Sequence, residues 1–127
     1  MIAVDTSALM AVLLGEARAE DCAAVLESAS DLLLSSGTLA EALIVAARRN
    51  VATEMAMLIE GLGFQITNVT PAAARRIALA YETWGRGLHP AGLNFGDCFA
   101  YEVAKENDCP LLYVGDDFSR TDIQSAL

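Results

Sequence analysis

Short apolar runs set apart by longer stretches of helical spacing constrain this chain more than any other feature. Ile2-Ala3-Val4, Leu32–Leu34 and Pro110–Val114 are such runs, and Phe64–Val69 alternates as a strand does. Between them, apolar residues recur at three- and four-residue intervals, as in Ala19, Cys22, Ala23 and Leu26. Helices are predicted over residues 8–14, 16–29, from the Ser35–Thr38 stretch to about Arg48, 51–61, 71–84 and from Gly96 to about Asn107. Thr6 or Ser7 is the expected cap of the first, and Thr70 with Pro71 opens the fifth. Strands that alternate with helices predict a parallel sheet covered on both faces, a three-layer α/β/α arrangement. Strand order is left open.

The chain has 127 residues, 54% of them apolar, which is enough for one core and predicts a single domain over 1–127. A net charge of -9 with only eight Lys and Arg argues against an ordinary nucleic-acid binder, which neutralises phosphates with clustered cations. The same charge suits carboxylates that converge on a bound cation, or a basic partner. Cys22, Cys98 and Cys109 form no CxxC pair and are read as small apolar side chains. Their odd number and the absence of a secretory signal favour a reducing compartment, so a cytoplasmic location is expected. No apolar run is long enough to span a bilayer, and no membrane association is expected.

Sites in open α/β sheets form beyond the carboxyl ends of the strands. Asp5 follows the first apolar run, and Asp116 with Asp117 follows the last. Asp97 falls in the first turn of a predicted helix, and Glu41 lies in a strongly apolar helix where a carboxylate needs a partner. Arg48, seven residues on, shares roughly its face. Plain structural roles also remain open to these acids, as turn or cap residues, as a dipole partner for Asp97 and as a solvent-edge side chain for Glu41. If they converge, an all-oxygen set without His or Cys suits Mg²⁺ or Mn²⁺, since uncompensated carboxylates repel one another. Such an ion polarises a phosphoryl oxygen and activates water.

Three ordered segments, "MIAVDTSALMAVLLGE", "SSGTLAEALIVAARR" and "LNFGDCFAYEVAKENDCPLLYVGDDFSRTDI", resemble the PIN-domain family, and within it the VapC toxin ribonucleases of bacterial toxin–antitoxin pairs. The resemblance implies metal-dependent hydrolysis of RNA phosphodiesters by Asp5, Glu41, Asp97 and a fourth acid, placed at Asp116 with Asp117 as the neighbouring choice. Thr6 and Ser7 match the polar pair beside the first acid, and their hydroxyls are expected to orient it. Thr38 is a secondary candidate whose other role is a helix cap. The resemblance also implies a homodimer, a cognate VapB-like antitoxin that places a C-terminal segment in the active-site groove, and an RNA target such as transfer or ribosomal RNA.

Arg75, Arg76 and Arg86 are candidate phosphate contacts, though the first two read more simply as solvated helix residues. His89 sits in a glycine-rich loop and is not expected to be catalytic. Trp84 and the methionines of 51–61 read first as core residues, with a partner surface as the alternative, and Asn94 is a candidate cap for the Asp97 helix. Two other functions share part of this pattern. A phosphotransfer protein or phosphatase also places acids after strands, but "DTSAL" lacks the DxDx[TV] opening of one such class. A non-catalytic PIN-like binding module does not require the acids to converge.

Overall fold

The computed structural model describes all residues from 1 to 127. Four strands, β1 (Ile2–Val4), β2 (Leu32–Ser35), β3 (Gln65–Thr67) and β4 (Leu111–Leu112), form one parallel sheet in the order β3-β2-β1-β4. From β1 the chain steps outward through β2 to β3, then returns to lay β4 along the other edge of β1. The order reverses between β1 and β4, where open α/β sheets place their sites.

Helices α1 (Thr6–Leu14), α2 (Ala19–Ser28), α3 (Ser36–Arg48), α4 (Ala52–Leu62), α5 (Pro71–Trp84) and α6 (Phe95–Glu106) cover the sheet. Two cores show how the strand period divides the layers. Ile2, Val4, Leu32, Leu34 and Leu112 pack with Leu9, Cys22, Ala42 and Met55, from α1 to α4, on one face. Ala3, Leu33, Leu111 and Tyr113 point to the other face, against Ile77 and Ala80 of α5 and Cys98 and Val103 of α6. Crossovers that run in opposite directions along a right-handed parallel sheet put their helices on opposite faces, which yields the three layers.

Local chemistry sets the helix ends. Gly15 and Gly63, at φ 62° and 67°, end α1 and α4 in the left-handed conformation that a side chain disfavours. Thr70 caps α5 with Pro71 at its first position, as expected. Asp5, not Thr6 or Ser7, caps α1, because the helix begins immediately after β1. Ser35 caps α3, so Thr38 lies inside the helix and its cap role is ruled out. The helix expected over 16–29 starts only at Ala19. Of the predicted run 110–114, only Leu111 and Leu112 pair as strand. The tail covers this edge, with Leu111 N donating to Gln124 O at 2.9 Å and Ala126 N to Leu111 O at 2.9 Å. All three cysteines are free, with Cys22 and Cys98 buried and Cys109 partly so. No helix is long and apolar enough to cross a membrane.

Candidate active site

The site forms where β1 and β4 end. Asp5 leaves β1 in an extended conformation, and as the cap of α1 its Oδ2 accepts from Ser7 N at 3.0 Å. The Ser7 hydroxyl donates to the same oxygen at 2.6 Å and accepts from Val114 N at 3.0 Å. One serine thus orients the first acid and ties it to the end of β4. Asp5 is only 4% exposed, and its Oδ1 is buried without any hydrogen-bond partner. Burial pushes its pKa up to about 7. The Ser7 bonds oppose that rise, while the charges of Asp97 and Glu41 add to it.

Glu41 projects from α3, and its Oε1 accepts from the Thr6 hydroxyl at 2.6 Å. Thr6 therefore supplies the partner that this half-buried carboxylate needs, and Arg48 forms no ion pair with it. The Glu41 carboxylate also lies against Gly96, where an added Cβ would overlap it. A glycine at the second position of α6 is poor for helix stability, and this close approach explains it. In the sequence alone, Gly96 reads only as a helix start. Its one local signal was a glycine placed beside an acid inside a helix.

Asp97 and Asn94 form a capping box, in which Asp97 N donates to Asn94 Oδ1 at 2.8 Å and Asn94 N to Asp97 Oδ2 at 3.0 Å. Both the expected cap and the expected first-turn acid are present. That pairing orients the carboxylate and leaves Oδ1 outside the box. Burial raises the Asp97 pKa to about 6. The Asn94 backbone bond and Arg86 work against the rise, and the charges of Asp117 and Glu41 add to it.

After β4 the chain turns at Gly115 (φ 106°) into a 3-10 turn, Phe118–Arg120. Asp116 and Asp117 are both exposed there. Asp116 accepts the Ser119 hydroxyl on its backbone carbonyl at 2.6 Å, and Asp117 is the one whose charge acts on Asp97. Asp122 is held apart from the site, accepting from Tyr101 Oη at 2.6 Å and Lys105 Nζ at 3.0 Å. Burial opposes its ionisation, but these bonds outweigh burial and keep its pKa below the usual carboxylate range. Thr38 is fully buried one turn before Glu41, and its hydroxyl has no partner.

The other candidates have structural roles. Arg76 bonds to Glu102 at 3.0 Å and lies 3.3 Å from Glu106. His89 packs edge-on to Trp84 at 4.7 Å and accepts from Ala91 N through Nδ1 at 3.0 Å. Trp84 Nε1 donates to Tyr101 Oη at 3.0 Å, and Met55 is in the core while Met57 is exposed. Beside Glu41, Ile44, Phe95 and Phe99 line an apolar groove of about 330 Å³.

Three of the predicted acids, Asp5, Glu41 and Asp97, thus sit on separate elements with their charges bearing on one another, and the charge of Asp117 bears on Asp97. The donors are all oxygens, and Asp5 Oδ1 lacks any protein partner, so the residues fit a hard divalent cation. As placed, no group of three or more His, Cys, Asp or Glu side chains is gathered closely enough to hold a metal ion.

Residues 2–124 match the family model described as PIN domain. The chain belongs to the PIN-domain family. It is 41% identical to the Mycobacterium tuberculosis protein named ribonuclease VapC28, over 98% of this chain and 96% of that one. It is 39% identical to ribonuclease VapC30 of the same species, over 94% of each. Among solved structures, this PIN domain resembles the M. tuberculosis toxin VapC20, described as cleaving the sarcin–ricin loop, with TM-score 0.79, 19% identity and coverage of 97% and 96%. A toxin–antitoxin complex from Klebsiella pneumoniae has TM-score 0.72 at 18% identity, over 96% of this chain and 93% of that one. These two likenesses bear on the fold, and the curated relatives place the chain among VapC-like ribonuclease toxins.

Proposed function

We propose that this PIN-domain protein is a metal-dependent endoribonuclease toxin, in which Asp5, Glu41 and Asp97 hold Mg²⁺ or Mn²⁺. The observation that carries the reading is Asp5, a buried carboxylate with one unpartnered oxygen, set beside two further acids with no ion pair to neutralise it. A buried anion in that position is costly until a cation joins it. For the fourth acid we favour Asp117 over Asp116, on the strength of its charge reaching Asp97.

When bound, the ion supplies Lewis-acid polarisation of the scissile phosphate and a lowered pKa for attacking water. Ser7 holds Asp5 in one rotamer, and Thr6 does the same for Glu41. The Asn94 box aims Asp97, and Glu41 or Asp117 would take the proton from the attacking water. This chemistry breaks one P–O bond in RNA as water forms another.

The same reading assigns the partners that membership among VapC-like toxins implies: a cognate VapB-like antitoxin, an RNA target such as transfer or ribosomal RNA, and a homodimeric state in the cytoplasm. The net charge of -9 suits a basic inhibitory segment. A non-catalytic module has no need for three acids whose charges bear on one another.

Incubating total cellular RNA with antitoxin-free protein tests the function. Discrete cleavage with Mg²⁺ or Mn²⁺, abolished by EDTA, is expected. Undiminished cleavage in EDTA, or none by folded, metal-supplied protein, contradicts it.

A further inference from the structure

An acidic protein that cuts RNA has to admit a phosphate backbone to a site walled by carboxylates. A bound ion offsets part of that repulsion, and a protein cation beside the acids would supply positioning as well. Most of the eight basic side chains are occupied or badly placed. Arg18 pairs with Asp21 at 2.9 Å, Arg76 with Glu102 and Glu106, and Lys105 with Asp122 at 3.0 Å. Arg120 Nη1 donates to Pro90 O at 3.2 Å. Arg48 and Arg49 end α3, at the far end of the helix from its site-facing first turns. Arg75 is exposed on α5, and its charge does not bear on Asp5 or Asp97.

Arg86 differs from all of these. It is exposed, forms no ion pair, and lies in the loop between α5 and α6. Its backbone N donates to Leu93 O at 3.0 Å, and Leu93 N donates to Trp84 O at 3.0 Å, closing a short bridge between Gly85 and Leu93. Leu93 leads directly into Asn94, which is bonded to the Asp97 carboxylate. The loop is braced within itself, since Leu88 N and His89 N both donate to Gly85 O at 3.0 Å. The Arg120–Pro90 bond ties it to the 3-10 turn that follows Asp117. Arg86 is therefore anchored next to the root of Asp97, with its guanidinium uncommitted. Its charge also acts on Asp97, in the direction that favours the ionised carboxylate.

We propose that Arg86 is the phosphate-contacting residue of this site, its guanidinium holding the RNA backbone beside Asp97 while the neighbouring bond is cut. The proposal rests on the nuclease reading above. A guanidinium suits the role because its planar donors match two phosphate oxygens at once.

The test measures kcat and KM of the metal-loaded full chain on the RNA fragment that the parent protein cuts. For Arg86→Gln, kcat/KM is expected to fall about 10- to 100-fold, mainly through KM, and the salt dependence of binding to drop by about one phosphate contact. Arg86→Lys is expected to recover part of the loss. Mn²⁺ affinity, read separately, reports whether the acids are undisturbed. A parental KM and salt slope in Arg86→Gln overturns the proposal. So does a change confined to the pH profile of kcat, which would make Arg86 only a counter-charge for Asp97. If the parent itself cuts no RNA, the nuclease reading falls, and this proposal with it.

Discussion

Replacing Asp5 with Asn is expected to stabilise the metal-free protein at pH 8 while abolishing RNA cleavage. The folded carboxyl has a pKa of about 7 against an ordinary value of 3.8, chiefly because it is buried. A shift of about three units corresponds to about 4 kcal/mol held against the ionised, folded state. The Asn amide stays buried and partly unpaired, which returns roughly 1–3 kcal/mol, so a net gain of about 1–3 kcal/mol is expected. Below pH 4 the parent carboxyl is protonated in both folded and unfolded chains, and the gain disappears. From pH 4 to 7 the folded parent keeps a proton that the unfolded chain releases, so its stability falls as pH rises and levels off above 7. Asp97, with its pKa raised to about 6, adds to the same trend. Urea unfolding in EDTA across this range checks the expectation, and a parent whose stability is flat from pH 4 to 8 contradicts it.

Gly96→Ala is expected to separate activity from stability in a second way. Alanine in a helix is favoured over glycine by up to about 1 kcal/mol. At this position, however, the new methyl occupies the space of the Glu41 carboxylate. Glu41 is the flexible partner, so it swings away and gives up its bond from Thr6. The two effects nearly cancel in stability. Cleavage is expected to fall about 100-fold, because a displacement on the order of 1 Å at a reacting centre has that scale of effect. Gly61→Ala is the control: it lies in α4, and its added Cβ meets nothing within 4 Å. That variant is expected to gain slightly in melting temperature with cleavage unchanged. Parental cleavage by Gly96→Ala would show that the position of Glu41 is not critical.

Local pattern carried much of this architecture into the sequence. Ile2 and Val4 face one layer and Ala3 the other, and every residue of that run is apolar because both faces are covered. Runs of this kind end where polar chemistry can begin, which is why Asp5 and the Asp116–Asp117 pair stood out. Strand order was not legible, because it depends on the direction each crossover takes and leaves no trace in the strands themselves. Partners across elements were hidden for a similar reason. Arg48 was the visible neighbour of Glu41 along its helix, whereas the bond that forms comes from Thr6 at the start of α1. Ser7 was legible as a support for Asp5, but its link to Val114 required β4 to lie beside β1. Gly96 looked like a helix start until Glu41 was seen against it.

The central claim is that these acids form one divalent-cation site. The most direct measurement is Mn²⁺ binding by calorimetry at pH 8, comparing the parent with Asp97→Asn. Asn at 97 can still accept from Asn94 N, so the capping box is retained and the fold should hold. The account predicts saturable binding by the parent and an affinity at least about 10-fold weaker in the variant, as expected when a ligand or its support is removed. Equal affinity in the two proteins, or no binding by the folded parent, would contradict it.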